Sequence, residues 1–424
     1  MITAARPMVS ANNPVPTPSE SPVDLERRYG ARNYDPLDVT LERGEGVYLY
    51  DTADRRYLDM MSAYSAVSFG HGHPVLVRAL VEQAERLAVT SRAFHTARLG
   101  SFLQRLCRMT GMARALPMNT GAEAVETAIK AARKWAYKVK RVPAGQAQII
   151  VAAGNFAGRT TTIVGFSSEA QYRDGFGPFT PGFTSVAFGD AAALEAAIGP
   201  HTAAFIVEPV QGEAGIIVPP AGYLAAVREI CTRRNVLMIA DEVQTGLGRT
   251  GRVLACDHEG VRPDGLTLGK ALGGGLLPVS AFCAREDVMA QFTPGDHGST
   301  FGGNPLGAAV GAAALELLES ESLCERARVQ GDYLLARLGR LEHAAIVDIR
   351  GKGLFVGVEI DPAFASARQV CDVLVGLGVL TKDTHGTVIR LAPPLTIARA
   401  QIDFAVAALG QALERIAAAE PAAA

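Results

Sequence analysis

Cysteine is scarce and scattered: Cys107, Cys231, Cys256, Cys283, Cys324 and Cys371 are the only six in 424 residues, and no two form a Cys-x-x-Cys pair. That excludes a disulfide framework and a zinc ribbon, and favours reduced thiols, mostly small core residues, in a cytoplasmic protein. Charge of either sign is not in excess, because 41 Lys and Arg face 43 Asp and Glu for a formal net charge of -2. No basic cluster stands out, so nucleic acid and anionic membranes are not expected as partners. Nowhere do about 18 apolar residues run uninterrupted, so no transmembrane span is expected. Residues 1–22 hold no apolar stretch for a signal peptide and only Arg6 as a base before Glu20, and they read as a disordered tail.

What is present is an ordered composition, 48% hydrophobic and 20% charged, in a chain long enough for two domains. One stretch organises it. Val236-Leu237-Met238-Ile239-Ala240 has the length and composition of a strand buried on both faces, which puts Asp241 at the carboxyl end, where open α/β sheets bind ligands. A buried carboxylate there needs a cation to stay charged. A second apolar run, Gly265 to Gly269, delivers Lys270 and then Gly273-Gly274-Gly275, backbone bare enough for something flat to lie close. An acid and a lysine on neighbouring strand ends suggest an aldehyde cofactor, with the lysine as Schiff-base former and the acid holding a ring nitrogen protonated.

Rival readings exist. A plain buried ion pair would use the same two residues. Gly265 to Ala271 has the wrong glycine spacing for a phosphate loop and lacks the hydroxyl after Lys. Gly246-Leu247-Gly248-Arg249-Thr250-Gly251 matches Gly-x-Gly-x-x-Gly literally, but no convincing helix follows, so the match is read as accidental. His71 and His73 sit in a Gly-rich turn with no third ligand nearby, and read as turn chemistry, not metal binding.

Along the chain, Asp24 to Gly30 reads as a short helix. Val47 to Tyr50 and Arg56 to Asp59 read as a hairpin, and Val75 to Leu87 as an amphipathic helix. Thr120 and Glu123 form a Thr-x-x-Glu capping box before apolar residues at helical spacing. Free N–H groups at Gly121 and Ala122 would hold a phosphate there, although an ordinary capped helix fits these residues equally well. From Gln148 onward strands and helices alternate, implying a mostly parallel sheet covered on both faces. Residues 324–417 carry their own pattern of helices and strands, a second domain that the first 50 or so residues join in space.

With Asp241, Lys270, the Gly121 helix start and the hydroxyls of Ser299-Thr300 in hand, the chain resembles the class III aminotransferases, and within them those acting on ornithine. The likeness is dense in Ser91-Arg92-Ala93-Phe94, Pro117 to Gly121, Gly154-Asn155-Phe156, Asp174 to Pro178, Val207-Glu208-Pro209, Gln211 to Gly215, Ala240 to Gly246 and His297 to Thr300. It implies an α/β fold, the pyridoxal-phosphate-dependent transferase fold type I of aspartate aminotransferase: a mostly parallel central sheet with helices on both faces, plus a smaller α+β domain from the two chain ends. Residues 23–70 would join the small domain, 71–320 form the large cofactor-binding domain, and 321–424 the C-terminal small domain.

The resemblance also implies roles. Lys270 would be the Schiff-base lysine and proton shuttle for pyridoxal 5'-phosphate, Asp241 the partner of the ring nitrogen, Gln244 the partner of the phenolic oxygen and Phe156 the stacking ring. Gly121 and Ala122 would bind the phosphate, with Ser299 and Thr300 supplied by a neighbouring subunit of a homodimer or larger assembly. Arg159 would hold the α-carboxylate of ornithine and Tyr34 its α-amine, with Tyr64 beside them. Glu213 would mask Arg390 until the second substrate arrives. The implied reaction moves the δ-amino group of L-ornithine to 2-oxoglutarate, the alternative being N-acetylornithine or another ω-amino acid.

Overall fold

The computed structural model describes residues 20–419. Most of the expected tail, residues 1–19, lies outside that range. The short helix expected from Asp24 to Gly30 spans Pro22–Tyr29, with Ser21 as N-cap accepting from the Asp24 N–H at 3.1 Å and Pro22 in the first turn.

The centre is a seven-stranded sheet in the order Arg114–Met118, Ser280–Ala284, Gly265–Leu268, Leu237–Asp241, Thr202–Val207, Gln148–Ala152 and Phe183–Val186. Its middle strands are buried along their whole length, which is why they read as unbroken apolar runs. Only Ser280–Ala284 runs against its neighbours, pairing antiparallel on both sides. It follows Gly265–Leu268 after a short connection, too short for the crossover that a parallel return needs. The register sets Val207 opposite Ala240 and Asp241 opposite Thr267, so the next residues, Glu208 and Glu242, emerge with Asp241 at one edge of the sheet.

The helix Gly121–Lys138 packs on this sheet through Ala124, Val125, Ala128, Ile129, Ala132 and Trp135. Its start meets the Asp241 strand so closely that a Cβ on Gly121 would stand 2.9 Å from Val243 Cγ1. The two chain ends meet in a separate sheet. Leu41–Glu45, Tyr48–Asp51 and Arg56–Asp59 form an antiparallel meander, and Val379–Leu380 adds to it in parallel, Val379 opposite Leu58. A third, antiparallel sheet orders Ile346–Gly351, Val356–Ile360, Val388–Leu391 and Lys382–Thr384. One hydrophobic cluster runs from Leu58 and Phe69 through Leu268 and Leu318 to Ile389 and Leu409, tying these sheets and helices together.

The Gly246–Gly251 segment forms turns, with Gly248 and Gly251 at φ +93° and +90°, and the next element is the short 3-10 turn Ala255–Glu259. No dinucleotide-type helix opens there. Among the described residues no group of three or more His, Cys, Asp and Glu could hold a metal. His71 instead meets Asp59 at 2.8 Å, and His73 caps the helix Pro74–Ala84.

Candidate active site

Asp241, Lys270, Gly121, Ala122, Phe156 and Gln244 line one cavity of about 170 Å³, together with Ala157, Gly158, Glu208 and Val243. Sheet register explains the meeting: three neighbouring parallel strands end here, and the capped helix begins above them. Asp241 is buried, and its Oδ1 accepts from the Val243 N–H at 3.1 Å and from the Thr267 hydroxyl at 2.9 Å. Among the described residues no hydrogen bond falls on Oδ2. Burial pushes this carboxyl up, while those two donors and the charge of Lys270 work to keep it ionised.

Lys270 opens a 3-10 turn, with its backbone at φ +44°. A non-glycine residue in the left-handed region stores strain, a feature that concentrates at functional sites. Burial holds its amine below the usual lysine range, and Arg390 adds to that effect, against the attraction of Glu213, Asp241 and Glu208. Gly274 packs on Leu76 and Gly275 on Val67, so these glycines serve packing around an adjoining cavity more than approach to the Asp241 cavity.

The helix start has the expected capping box: Thr120 Oγ1 accepts from the Glu123 N–H at 3.2 Å, and Glu123 Oε2 from the Thr120 N–H at 2.7 Å. The box leaves the N–H groups of Gly121 and Ala122, at the positive end of an 18-residue helix, bordering the cavity. An anion would be met there by backbone donors alone.

Beside this cavity lies a charge pair. Arg390, buried on the strand Val388–Leu391, donates from Nη1 to Glu213 Oε2 at 2.8 Å and from Nη2 to Gln244 Oε1 at 2.6 Å. Gln244 closes the triangle by donating to Glu213 Oε1 at 3.3 Å. Its amide is therefore engaged with Arg390 and Glu213. Burial works to raise the Glu213 carboxyl, but Arg390 and Lys270 hold it below its ordinary value. The Tyr64 ring stands 4.9 Å from the Arg390 guanidinium. Tyr64 belongs to a left-handed turn, Ser62 to Ser65, in which four consecutive non-glycine residues have positive φ. Such geometry costs on the order of 1 kcal/mol per residue.

The remaining expected residues are placed less centrally. Arg159 is exposed and lies 3.6 Å from the Tyr172 ring centroid and 5.5 Å from that of Phe156. Tyr34 is 77% exposed along the groove beside the Pro22–Tyr29 helix. Ser299 takes a 2.9 Å hydrogen bond from Asn119 Nδ2, and Thr300 is exposed; neither borders the Asp241 cavity.

Glu208 is a site residue that the reading of the sequence passed over as part of a motif. Its carboxylate accepts from the Phe156 N–H at 3.0 Å and the Gly212 N–H at 3.3 Å, tying together the loops that carry Phe156 and Glu213. Burial, then the charge of Asp241, push it up to about 8. A signal existed: Ala204 to Val207 followed by Glu repeats the apolar-run-then-acid pattern of the Asp241 strand next to it.

A buried acid, a lysine whose amine burial holds below its usual range and the open N–H groups of a helix start surround one cavity, the arrangement that the aminotransferase resemblance of the sequence implies. The sequence profile described as aminotransferase class-III matches residues 29–413, and the chain belongs to that family. It is 54% identical over 400 residues to the ornithine aminotransferase of Bordetella pertussis, covering 94% of this chain and 97% of that one. The crystal structure of the ornithine aminotransferase from Toxoplasma gondii ME49 superposes with a TM-score of 0.92 at 43% identity, covering 93% and 95% of the two chains. The acetylornithine aminotransferase of Elizabethkingia anophelis superposes with a TM-score of 0.84 at 45% identity, over 93% and 98%.

Proposed function

We propose that the protein transfers the δ-amino group of L-ornithine to 2-oxoglutarate, with pyridoxal 5'-phosphate as cofactor. The residues fit that group: Asp241 Oδ2 is available to a ring nitrogen, the Gly121 and Ala122 N–H groups to a phosphate, and Lys270 to an aldehyde. When bound, pyridoxal phosphate supplies a carbonyl that condenses with amines and a protonated ring that accepts the electron pair left when a C–H proton departs.

Each residue then has a task. Lys270, its ammonium disfavoured by burial, is placed to act first as nucleophile and later as the base that takes the proton from the amine-bearing carbon and returns it one position away. The two hydrogen bonds on Asp241 Oδ1 favour its anionic form, the form that would pair with a protonated ring nitrogen. Phe156 bounds the ring face, and Glu208 fixes its backbone. Ser299 and Thr300 come from the neighbouring copy of a homodimer, which fits the exposure of Thr300 and of Phe301 beside it.

The observation that carries the substrate reading is the Arg390–Glu213 pair. With Glu213 neutralising Arg390, a cationic amino acid meets no net positive charge near Lys270, and its α-carboxylate is left for Arg159. When Glu213 turns away, Arg390 is free to clamp the distal carboxylate of 2-oxoglutarate. The 45% identity to an acetylornithine aminotransferase favours N-acetylornithine as the second reading. Purified holoenzyme offered L-ornithine, N-acetylornithine and 4-aminobutyrate with 2-oxoglutarate should give the highest kcat/KM with ornithine. A higher value with N-acetylornithine overturns the first reading in favour of the second. The six cysteines, all free, support a reducing, cytoplasmic setting.

A further inference from the structure

Arg249 is the fourth of the six residues in the glycine pattern that resembles a dinucleotide loop; it is fully buried, and among the described residues it has no ion-pair partner within 4 Å. Every hydrogen bond from its guanidinium goes to the chain ends. Nη1 donates to the Leu354 carbonyl at 2.9 Å and the Pro393 carbonyl at 2.6 Å, and Nη2 donates to Ser62 Oγ and Ser68 Oγ, each at 3.1 Å. The planar fork thus joins three stretches that the sequence holds far apart, at Ser62 to Ser68, at Leu354 and at Pro393. The glycines on either side of it are held by other neighbours: Gly248 and Gly251 adopt positive φ, and a Cβ would stand 2.9 Å from Leu318 and Leu395 at Gly248 and 3.0 Å from Arg328 at Gly251.

Ser62 and Ser68 bracket the left-handed turn that carries Tyr64. Ser62 Oγ also donates to the Ala392 carbonyl at 2.6 Å, two residues past Arg390, and Ser68 Oγ donates to the Ser65 carbonyl at 2.9 Å. Asp59 completes the support by accepting from the Met61 and Ser62 N–H groups at 2.9 and 2.7 Å. The turn has no glycine to make its backbone conformation cheap, so its persistence depends on these outside contacts. One guanidinium therefore grips both the turn beneath Tyr64 and, through Pro393, the segment that follows Arg390.

We propose that Arg249 is a positioning residue for the second half-reaction, holding the Ser62–Ser65 turn so that the Tyr64 ring stays over the Arg390 guanidinium while the dicarboxylate is bound. This rests on the reading of Arg390 as the dicarboxylate clamp. Arg249 touches neither substrate nor cofactor; its effect passes through Tyr64. Losing that alignment should weaken binding of the dicarboxylate more than it weakens the amino-donor step, in which Glu213 covers Arg390.

The test uses holoenzyme and measures each half-reaction separately, following cofactor absorbance with ornithine and then with 2-oxoglutarate. Arg249→Lys should raise the apparent Kd or KM for 2-oxoglutarate about tenfold, the scale of a desolvated cation–π contact, with a clearly smaller effect on the ornithine half-reaction. The effect should vanish in a Tyr64→Ala background, because both changes remove the same contact. If Arg249→Lys does not fold, Ser62→Ala with Ser68→Ala, which leaves Arg249 in place, should give the same selective loss in smaller measure. Equal losses in both half-reactions, or full additivity with Tyr64→Ala, overturn the proposal. A loss with Arg390→Ala but none with the Arg249 or serine variants overturns this inference alone. No loss with Arg390→Ala overturns the clamp reading and this inference with it.

Discussion

Thr267→Val isolates one hydrogen bond behind the chemistry. Thr267 is buried on the strand beside Asp241, and its hydroxyl donates to Asp241 Oδ1 at 2.9 Å. Valine keeps the shape and removes only the donor, leaving the Val243 N–H at 3.1 Å as the remaining bond. A hydrogen bond to a charged group contributes about 1.5–3 kcal/mol, which is roughly one to two pKa units on the carboxyl it supports. Burial already pushes the Asp241 carboxyl up, so the loss moves it further in the same direction and weakens its hold on the protonated ring. The ring accepts electrons in both half-reactions. Single-turnover rates with ornithine and with 2-oxoglutarate should therefore fall together, about tenfold each, while the substrate concentrations at half-saturation change little. Stopped-flow absorbance of the cofactor reads both rates, and a thermal melt checks that the fold survives. A rate within twofold of the parent in both halves, while Asp241→Asn abolishes them, would refute the claim that Thr267 keeps Asp241 anionic.

Glu213→Ala leaves Arg390 uncovered; kcat/KM for ornithine should drop at least tenfold through repulsion and competition for its carboxylate, whereas 2-oxoglutarate binding holds or improves, as half-reaction kinetics will tell. Glu208 has a folded-state pKa of about 8 against an ordinary 4.5, so the folded apoprotein binds a proton that the unfolded chain releases, and stability declines as pH rises between those values. The slope from this group is at most about 1.4 kcal/mol per pH unit, and urea titrations of apo Glu208→Gln at pH 5 to 8 should show it flattened. An unchanged slope would mean that Glu208 is ionised throughout.

The middle of the large sheet was legible because its strands are buried on both faces and their composition is unmixed. Asp241 and Lys270 stand at the ends of such runs, where pattern and chemistry coincide, and the Thr120–Glu123 cap announces itself by its own Thr-x-x-Glu spacing. Edge elements were harder to read. Leu41–Glu45 is mostly polar and exposed, and Arg114–Met118 contains a proline, so neither carries a strand signature. The helix Leu99–Thr110 was overlooked despite an amphipathic face formed by Leu99, Phe102 and Leu106. Tyr64 could be named as a candidate from resemblance, but nothing in Ser-Ala-Tyr-Ser announces a left-handed turn, since its cause lies at Asp59 and Arg249. Arg249 itself was hidden by the glycines around it, which mimic a nucleotide loop while serving the turns and close packing of that segment.

The parallel pairing of Val379 with Leu58 has a consequence for how the molecule is made. During synthesis the Arg56–Asp59 strand leaves the ribosome early and must wait, its outer edge unclaimed, until nearly all of the remaining chain has followed. Assembly of that corner is a late event governed by long-range closure. A premature stop ahead of Val379 would spare every residue of the Asp241 cavity, yet strip the neighbouring strand from the one that leads into Asp59 and the Tyr64 turn. Such a fragment could keep the parts for the chemistry and lose the means of choosing what to perform it on.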